Sequence, residues 1–154
     1  MEMNIEQATH DDAEIILNLQ KIAYQSEARR YNDGTLPPLV QTLNEIQTDF
    51  KKQVVLKAVL AGKIIGSVRA YEENGTCFIG RLIVDPEYQS RGIGTELMHH
   101  IEGRFREADR FELFTGHESK EALHLYHKLG YTEFTSRKLV THTLIFLEKR
   151  KYQK

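Results

Sequence analysis

The chain has 154 residues, 40% of them hydrophobic, with 21 Lys+Arg against 22 Asp+Glu for a net charge of -1. That length suits one domain with a real core, and the charge balance gives no case for nucleic acid or an anionic membrane as partner. No apolar run approaches the ~18–20 residues of a membrane span, no signal-like apolar stretch follows the polar start Met1 to Glu6, and the single Cys77 excludes an internal disulfide and suits a cytoplasmic, reducing setting.

Met3 to Ala8 alternates weakly and reads as a first strand. Thr9 or His10 with Asp11-Asp12 then opens a helix, acidic where the helix dipole favours it. Its buried face holds Ala13, Ile16, Leu17, Leu19 or Gln20, and Ala23, and it runs to about Glu27–Arg30. Asn32-Asp33-Gly34 and Pro37-Pro38 break the chain. A shorter helix follows, from Leu39 or Thr42 to Phe50.

Gln53 to Leu60 and Ile64 to Tyr71 form a hairpin around Ala61-Gly62-Lys63. Asn74-Gly75, a strong hairpin signal, returns the chain as Thr76 to Val84. Next comes Gln89-Ser90-Arg91-Gly92-Ile93-Gly94-Thr95, leading into a helix predicted over 92–108. A strand, a turn with two glycines and a helix start make an anion site: the first helical N–H groups have no partner within the helix, and the dipole is positive there. Arg110 to Thr115 is a short strand, Glu118 to Leu129 a helix stopped by Gly130, and Tyr131 to Ser136 and Leu139 to Leu147 close the sheet. The basic tail Lys149 to Lys154 reads as frayed. The sum is a mixed α/β fold: a mostly antiparallel sheet with helices on its faces.

Strand Leu82-Ile83-Val84, then Asp85-Pro86-Glu87-Tyr88, then Gln89-x-x-Gly92-x-Gly94 at a helix start resembles the acetyl-CoA signature of the GNAT superfamily of N-acetyltransferases. The later Ala122 to Tyr131, with Tyr126 and Gly130-Tyr131, resembles that family's second signature, and the element order is similar throughout. The resemblance implies the GNAT fold with a splayed strand pair, acetyl-CoA as co-substrate, no metal, and acetyl transfer to an amine by direct attack. Backbone amides of Arg91 to Thr95 would hold the pyrophosphate, with the Arg91 side chain adding charge, and Leu82, Ile83 and Val84 would pair with the pantetheine arm. Tyr126 would protonate the leaving thiolate as general acid.

The general base stays open. His117 and Glu118 are the candidates, at the strand end facing the cleft, and Ser119 departs from the Asn that relatives often carry there. Tyr31, Asn32 and Asp33 are candidates for contacting the acceptor amine, and Arg29, Arg30, Arg69 and Arg81 for an anionic group on it. A polyamine, an amino acid, an aminoglycoside and a protein terminus all remain open as acceptors. His99-His100 and the pair His124/His127 lack a third ligand and read as solvated faces rather than zinc sites. Relatives dimerise through terminal strands, which marks Leu139 to Leu147 as the surface for a homodimer. A CoA-binding module without transferase activity is the rival reading.

Overall fold

Alternating β-branched and polar residues build seven strands: β1 (Met3–Gln7), β2 (Val54–Leu60), β3 (Lys63–Glu73), β4 (Thr76–Val84), β5 (Arg110–Gly116), β6 (Thr132–Lys138) and β7 (Thr143–Arg150). The helices are α1 (Ala13–Ala23), α2 (Gln25–Tyr31), α3 (Pro37–Val40), α4 (Leu43–Lys52), α5 (Ile93–Gly103) and α6 (Lys120–Lys128). The structure is a computed structural model that describes residues 2–151. One seven-stranded sheet runs in the order β1-β2-β3-β4-β5-β7-β6. Every neighbouring pair is antiparallel except β4 and β5.

Local chemistry explains most boundaries. Asn74 and Gly75 both take left-handed φ, 52° and 84°, as a two-residue turn matched to strand twist requires. Thr42 opens α4 with a capping box: Glu45 N–H donates to Thr42 Oγ1 at 3.2 Å, and Thr42 N–H to Glu45 Oε1 at 2.8 Å. Ile46 on that helix is fully buried, which stabilises its seat by ~2 kcal/mol. It belongs to a small core of Ala13, Ile16, Leu17, Ile46 and Val55 on one face of the sheet. The larger core on the other face joins Leu97, Met98 and Ile101 of α5 and Tyr126 of α6 to Ile65, Val68, Cys77, Ile79, Phe111, Leu113 and Leu147.

Four expectations are corrected. The first helix does not run unbroken to residue 30, because it kinks at Tyr24 (φ -84°, ψ 0°) into α1 and α2. Ala28 N–H still reaches Tyr24 O at 3.0 Å, so the kink leaves no gap in the apolar period to betray it. α5 stops at Gly103 instead of 108, and Phe105 and Ala108 are carried in tight turns, with Ala108 still buried. Leu139 to His142 is a turn, not strand, closed by Leu139 N–H to His142 O at 2.7 Å. Lys149 and Arg150 are the end of β7 rather than frayed tail, with Lys149 Nζ on Glu102 at 2.7 Å. Residues 152–154 of the tail lie outside the described residues. No helix among the described residues is long and apolar enough to cross a membrane.

Candidate active site

The glycine turn places backbone donors where the sequence expects them. Gly92 caps α5 with φ 79°, and Ser90 is also left-handed at 64°. Among the described residues, the N–H groups of Arg91, Gly92, Ile93, Gly94 and Thr95 meet no protein acceptor. The first intrahelical bond in this stretch is Glu96 N–H to Gly92 O at 3.1 Å. A Cβ at Gly92 would touch nothing within 4 Å, so the space beside Gly92 is open. Arg91 lies over the Tyr88 ring at 5.3 Å, which holds its charge beside the turn.

The turn sits at the mouth of a fork. β4 and β5 pair only at Thr76, Cys77 and Phe78 against Arg110, Phe111 and Glu112, then part. β4 continues through Val84 on the β3 side alone, so its other edge has no strand partner from Ile79 onward. A bulge shapes this stretch: two steps of β3, Ser67 to Arg69, face three of β4, Ile83 to Gly80. Arg81 in the bulge adopts φ 51°, which costs a non-glycine residue of order 1–3 kcal/mol.

Arg81 is unusual in a second way. Its Nε is sealed from solvent without an acceptor, a loss of ~1–3 kcal/mol. Arg69, opposite Arg81's neighbour Gly80 on β3, is 3% exposed and donates to Gln20 Oε1 at 3.2 Å and Gln41 Oε1 at 3.0 Å. Its only carboxylate among the described residues is Asp49, at 3.6 Å. Burial first, and the charge of Arg81 second, pull Arg69 down to about 10.

A directed hydrogen-bond chain closes the other wall. Ser119, 2% exposed at the start of α6, donates from Oγ to Glu27 Oε2 at 2.8 Å. A hydroxyl has one proton, so the 2.8 Å contact between Tyr31 and Ser119 runs with Tyr31 donating. Tyr31 in turn accepts from Glu118 N–H at 3.0 Å. Gly116 makes room for this approach, since a Cβ there would overlap the Tyr31 ring and hydroxyl. Asp33 is spent on its own loop, accepting from Thr35 N–H (2.8 Å), Thr35 Oγ1 (2.6 Å) and Thr141 Oγ1 (3.0 Å), and the Thr35 bonds hold its carboxyl below the usual range. Asn32 ends α2 in the left-handed conformation, φ 49°.

Tyr126 is 8% exposed on α6, and its hydroxyl has no protein partner among the described residues. Burial, then Tyr24 and Glu27, push that hydroxyl above the ordinary tyrosine value. Tyr24 is pushed up as well, by burial first; Glu27 adds to the shift, while Arg81 and Arg69 oppose it. His117 offers no lone pair to a substrate in this arrangement. Its own N–H already satisfies Thr143 O at 2.8 Å, so Nδ1 accepts Thr143 N–H at 3.1 Å and the remaining proton on Nε2 faces Glu118 at 3.2 Å.

The family sequence profile described as "Acetyltransferase (GNAT) family" matches residues 16–131. The chain belongs to the GNAT acetyltransferase family. Among solved structures, it resembles the ribosomal-protein-S18-alanine N-acetyltransferase of Escherichia coli, with a TM-score of 0.83 over 99% of this chain and 96% of that one, at 17% identity. It also resembles the PaiA N-acetyltransferase of Thermoplasma acidophilum in complex with coenzyme A, with a TM-score of 0.74 over 97% and 99% of the two chains, at 16% identity. These likenesses establish the GNAT fold. A curated relative, the UPF0157 protein YqkA of Bacillus subtilis (strain 168), is 29% identical over 131 residues, which is 82% of this chain. The chain spans 37% of that relative's length.

Within the GNAT frame, the structure brings Tyr31, Glu118 and Ser119 together, with His117 beside them and Ser119 joined to Glu27. Asn32 and Asp33 serve the turn after α2 instead of forming contacts with that group. Glu27 and Tyr24 are residues that sequence reasoning passed over, and Ser119, noted there only as a departure, is buried in this wall. Glu27 sits in a helix among charged neighbours, and nothing in its own period distinguishes it from a solvated carboxylate. Tyr131 of the second signature is structural: its hydroxyl donates to Glu102 at 2.7 Å, on the α5 side. No group of three metal-ligating side chains gathers among the described residues; His127 faces Glu133 at 3.1 Å and His100 faces Glu96 at 3.9 Å.

Proposed function

We propose that this chain transfers an acetyl group from acetyl-CoA to a primary amine of a small molecule or peptide. The observation that carries the reading is the unpaired edge of β4 leading directly to the open amides of Arg91 to Thr95. That pair of features fits an extended, amide-bearing arm ending in a pyrophosphate. Acetyl-CoA supplies an activated acyl thioester at this place; the rest is the work of the chain's own residues. Backbone groups of Leu82, Ile83 and Val84 align the arm, Gln89 and Ser90 shape the turn, and the amides from Arg91 to Thr95 take the anionic charge.

Tyr126 holds the proton destined for the leaving sulfur, and its raised pKa keeps that proton in place at neutral pH. The attacking amine must lose a proton. Glu27 is assigned to accept it, directly or through water, because it is hydrogen-bonded to Ser119 at the start of the helix that carries Tyr126, while both nitrogens of His117 face protein partners. This moves the base from His117 and Glu118 to Glu27. Tyr31 and Ser119 hold the Glu27 carboxylate in position.

The test is thiol release from acetyl-CoA across a broad panel of amines. Acceptor-dependent release supports the proposal. Tight acetyl-CoA binding with no acceptor-dependent release would replace it with a coenzyme-binding module.

A further inference from the structure

The acceptor side of the fork carries more positive charge than its protein partners use. Arg81 makes no hydrogen bond or ion pair among the described residues, and its Nε is shut away without an acceptor. The bulge holds Arg81 in a strained backbone conformation on a strand whose register puts Gly80, its neighbour, opposite Arg69. Behind it stands Arg69, buried, bonded to two neutral glutamine oxygens, with one carboxylate at 3.6 Å. Two guanidinium groups held this way are costly without an anion between or beside them.

The opposite sign lies nearby. Glu27 is fixed by Ser119 and Arg30, with Oε1 accepting from Arg30 at 2.7 Å. Gln20, which accepts from Arg69 at 3.2 Å, and Glu27 lie seven residues apart on the helical run that kinks at Tyr24. The cleft thus offers a cationic end and an anionic end to one guest.

We propose that the acceptor carries, beside its amine, an anionic oxygen group, a carboxylate or a phosphate, which docks on Arg81 with Arg69 behind it. This rests on the acetyl-transfer reading, and it narrows the open list of acceptors to zwitterionic amines such as amino acids or amino-alkyl phosphates. The terminal nitrogens of the Arg81 guanidinium suit either oxygen pair. Polyamines and aminoglycosides, which carry only positive charge, would meet repulsion from Arg81 and Arg69.

Matched pairs decide it: L-amino acids against their carboxamides, and O-phosphoethanolamine against ethanolamine, each scored by kcat/KM for thiol release. The anion-bearing member should win by at least about tenfold in one series, and that series names the group. Arg81→Gln should bring the ratio close to one, with Arg81→Lys in between; Lys keeps the charge and the fold if Gln disturbs the bulge. Equal or better rates with the neutral members, or a ratio that survives Arg81→Gln, would overturn the proposal. If no amine supports turnover, the transfer reading fails by itself, and calorimetry still decides the anion site. With CoA present, the same acids should bind the wild-type protein and bind Arg81→Gln at least about tenfold more weakly; equal binding to both, or none to either, overturns the site.

Discussion

Ser119 and Glu27 stand 92 positions apart in sequence and share a 2.8 Å hydrogen bond. The bond ties the start of α6, which carries Tyr126, to α2, which carries the assigned base. Ser119→Ala removes the donor to Glu27 and the acceptor of Tyr31, both at a buried position. We expect a loss of ~1–3 kcal/mol in stability by denaturant titration, and a fall in kcat larger than any change in acetyl-CoA affinity. An unaltered kcat would show that Glu27 needs no such support.

Gly116 is the second point at which this wall is set. Any side chain there meets the Tyr31 ring and hydroxyl, which cannot retreat without leaving Ser119 and Glu118 N–H. Gly116→Ala should therefore match Ser119→Ala in lowering turnover. The double variant Gly116→Ala with Tyr31→Phe should cost less than the two single effects added, because both act through one contact. Simple additivity in the measured kcat/KM values would contradict that coupling.

For Tyr126, removal of one oxygen atom is the cleanest probe. Tyr126→Phe should cut kcat by roughly 10²–10⁴, the range for a general acid, and leave acetyl-CoA affinity close to the wild-type value. Turnover that stays level would assign the tyrosine to packing alone.

Gly92 separates backbone strain from charge. Asn and Asp both tolerate left-handed φ better than other residues, and the position is open to a side chain. Gly92→Asn should bind acetyl-CoA with a small loss. Gly92→Asp puts a negative charge among the open amides and should weaken binding by at least about tenfold, less so at high salt. Equal dissociation constants for the two variants would argue against an anion at this turn.

Cys77 titrates in the opposite sense from a reactive thiol. It is fully buried, and burial first, then Glu72 and Glu102, push it up from 9.0 to about 12. A raised pKa means the folded state holds the proton more tightly, so its contribution to stability is complete below about pH 9 and is lost as pH rises toward 12. Thiol reagents at neutral pH should label the native protein only at the rate of unfolding. Fast labelling of folded protein would show that the thiol is accessible.

Much of this architecture was legible because local rules agree with the global fold. The Asn74-Gly75 turn and the glycine turn that opens α5 announce themselves in a few residues each. The kink at Tyr24 does not, because the helical hydrogen bonding runs through it. The setting of His117 was hidden for a related reason. His117 looked suitable by type and place, but whether a histidine has a lone pair to give depends on Thr143, 26 residues away. Ser119 looked like a departure from the pattern, whereas burial makes it the link between two helices. Arg81 was legible as a charge, but its unmet Nε and left-handed backbone belong to a bulge that only strand pairing creates.

The fork between β4 and β5 has its apex clamped. Arg110 reaches Thr76 Oγ1 at 3.2 Å on β4, Glu112 at 2.9 Å on its own strand and Glu148 at 2.9 Å on β7. Prising the strands further apart means breaking that clasp and the pairing beneath it. The gap therefore behaves as a slot of fixed gauge instead of a hinge. On the acetyl-transfer reading, the closed end of the fork would set the width available to an extended arm lying along β4.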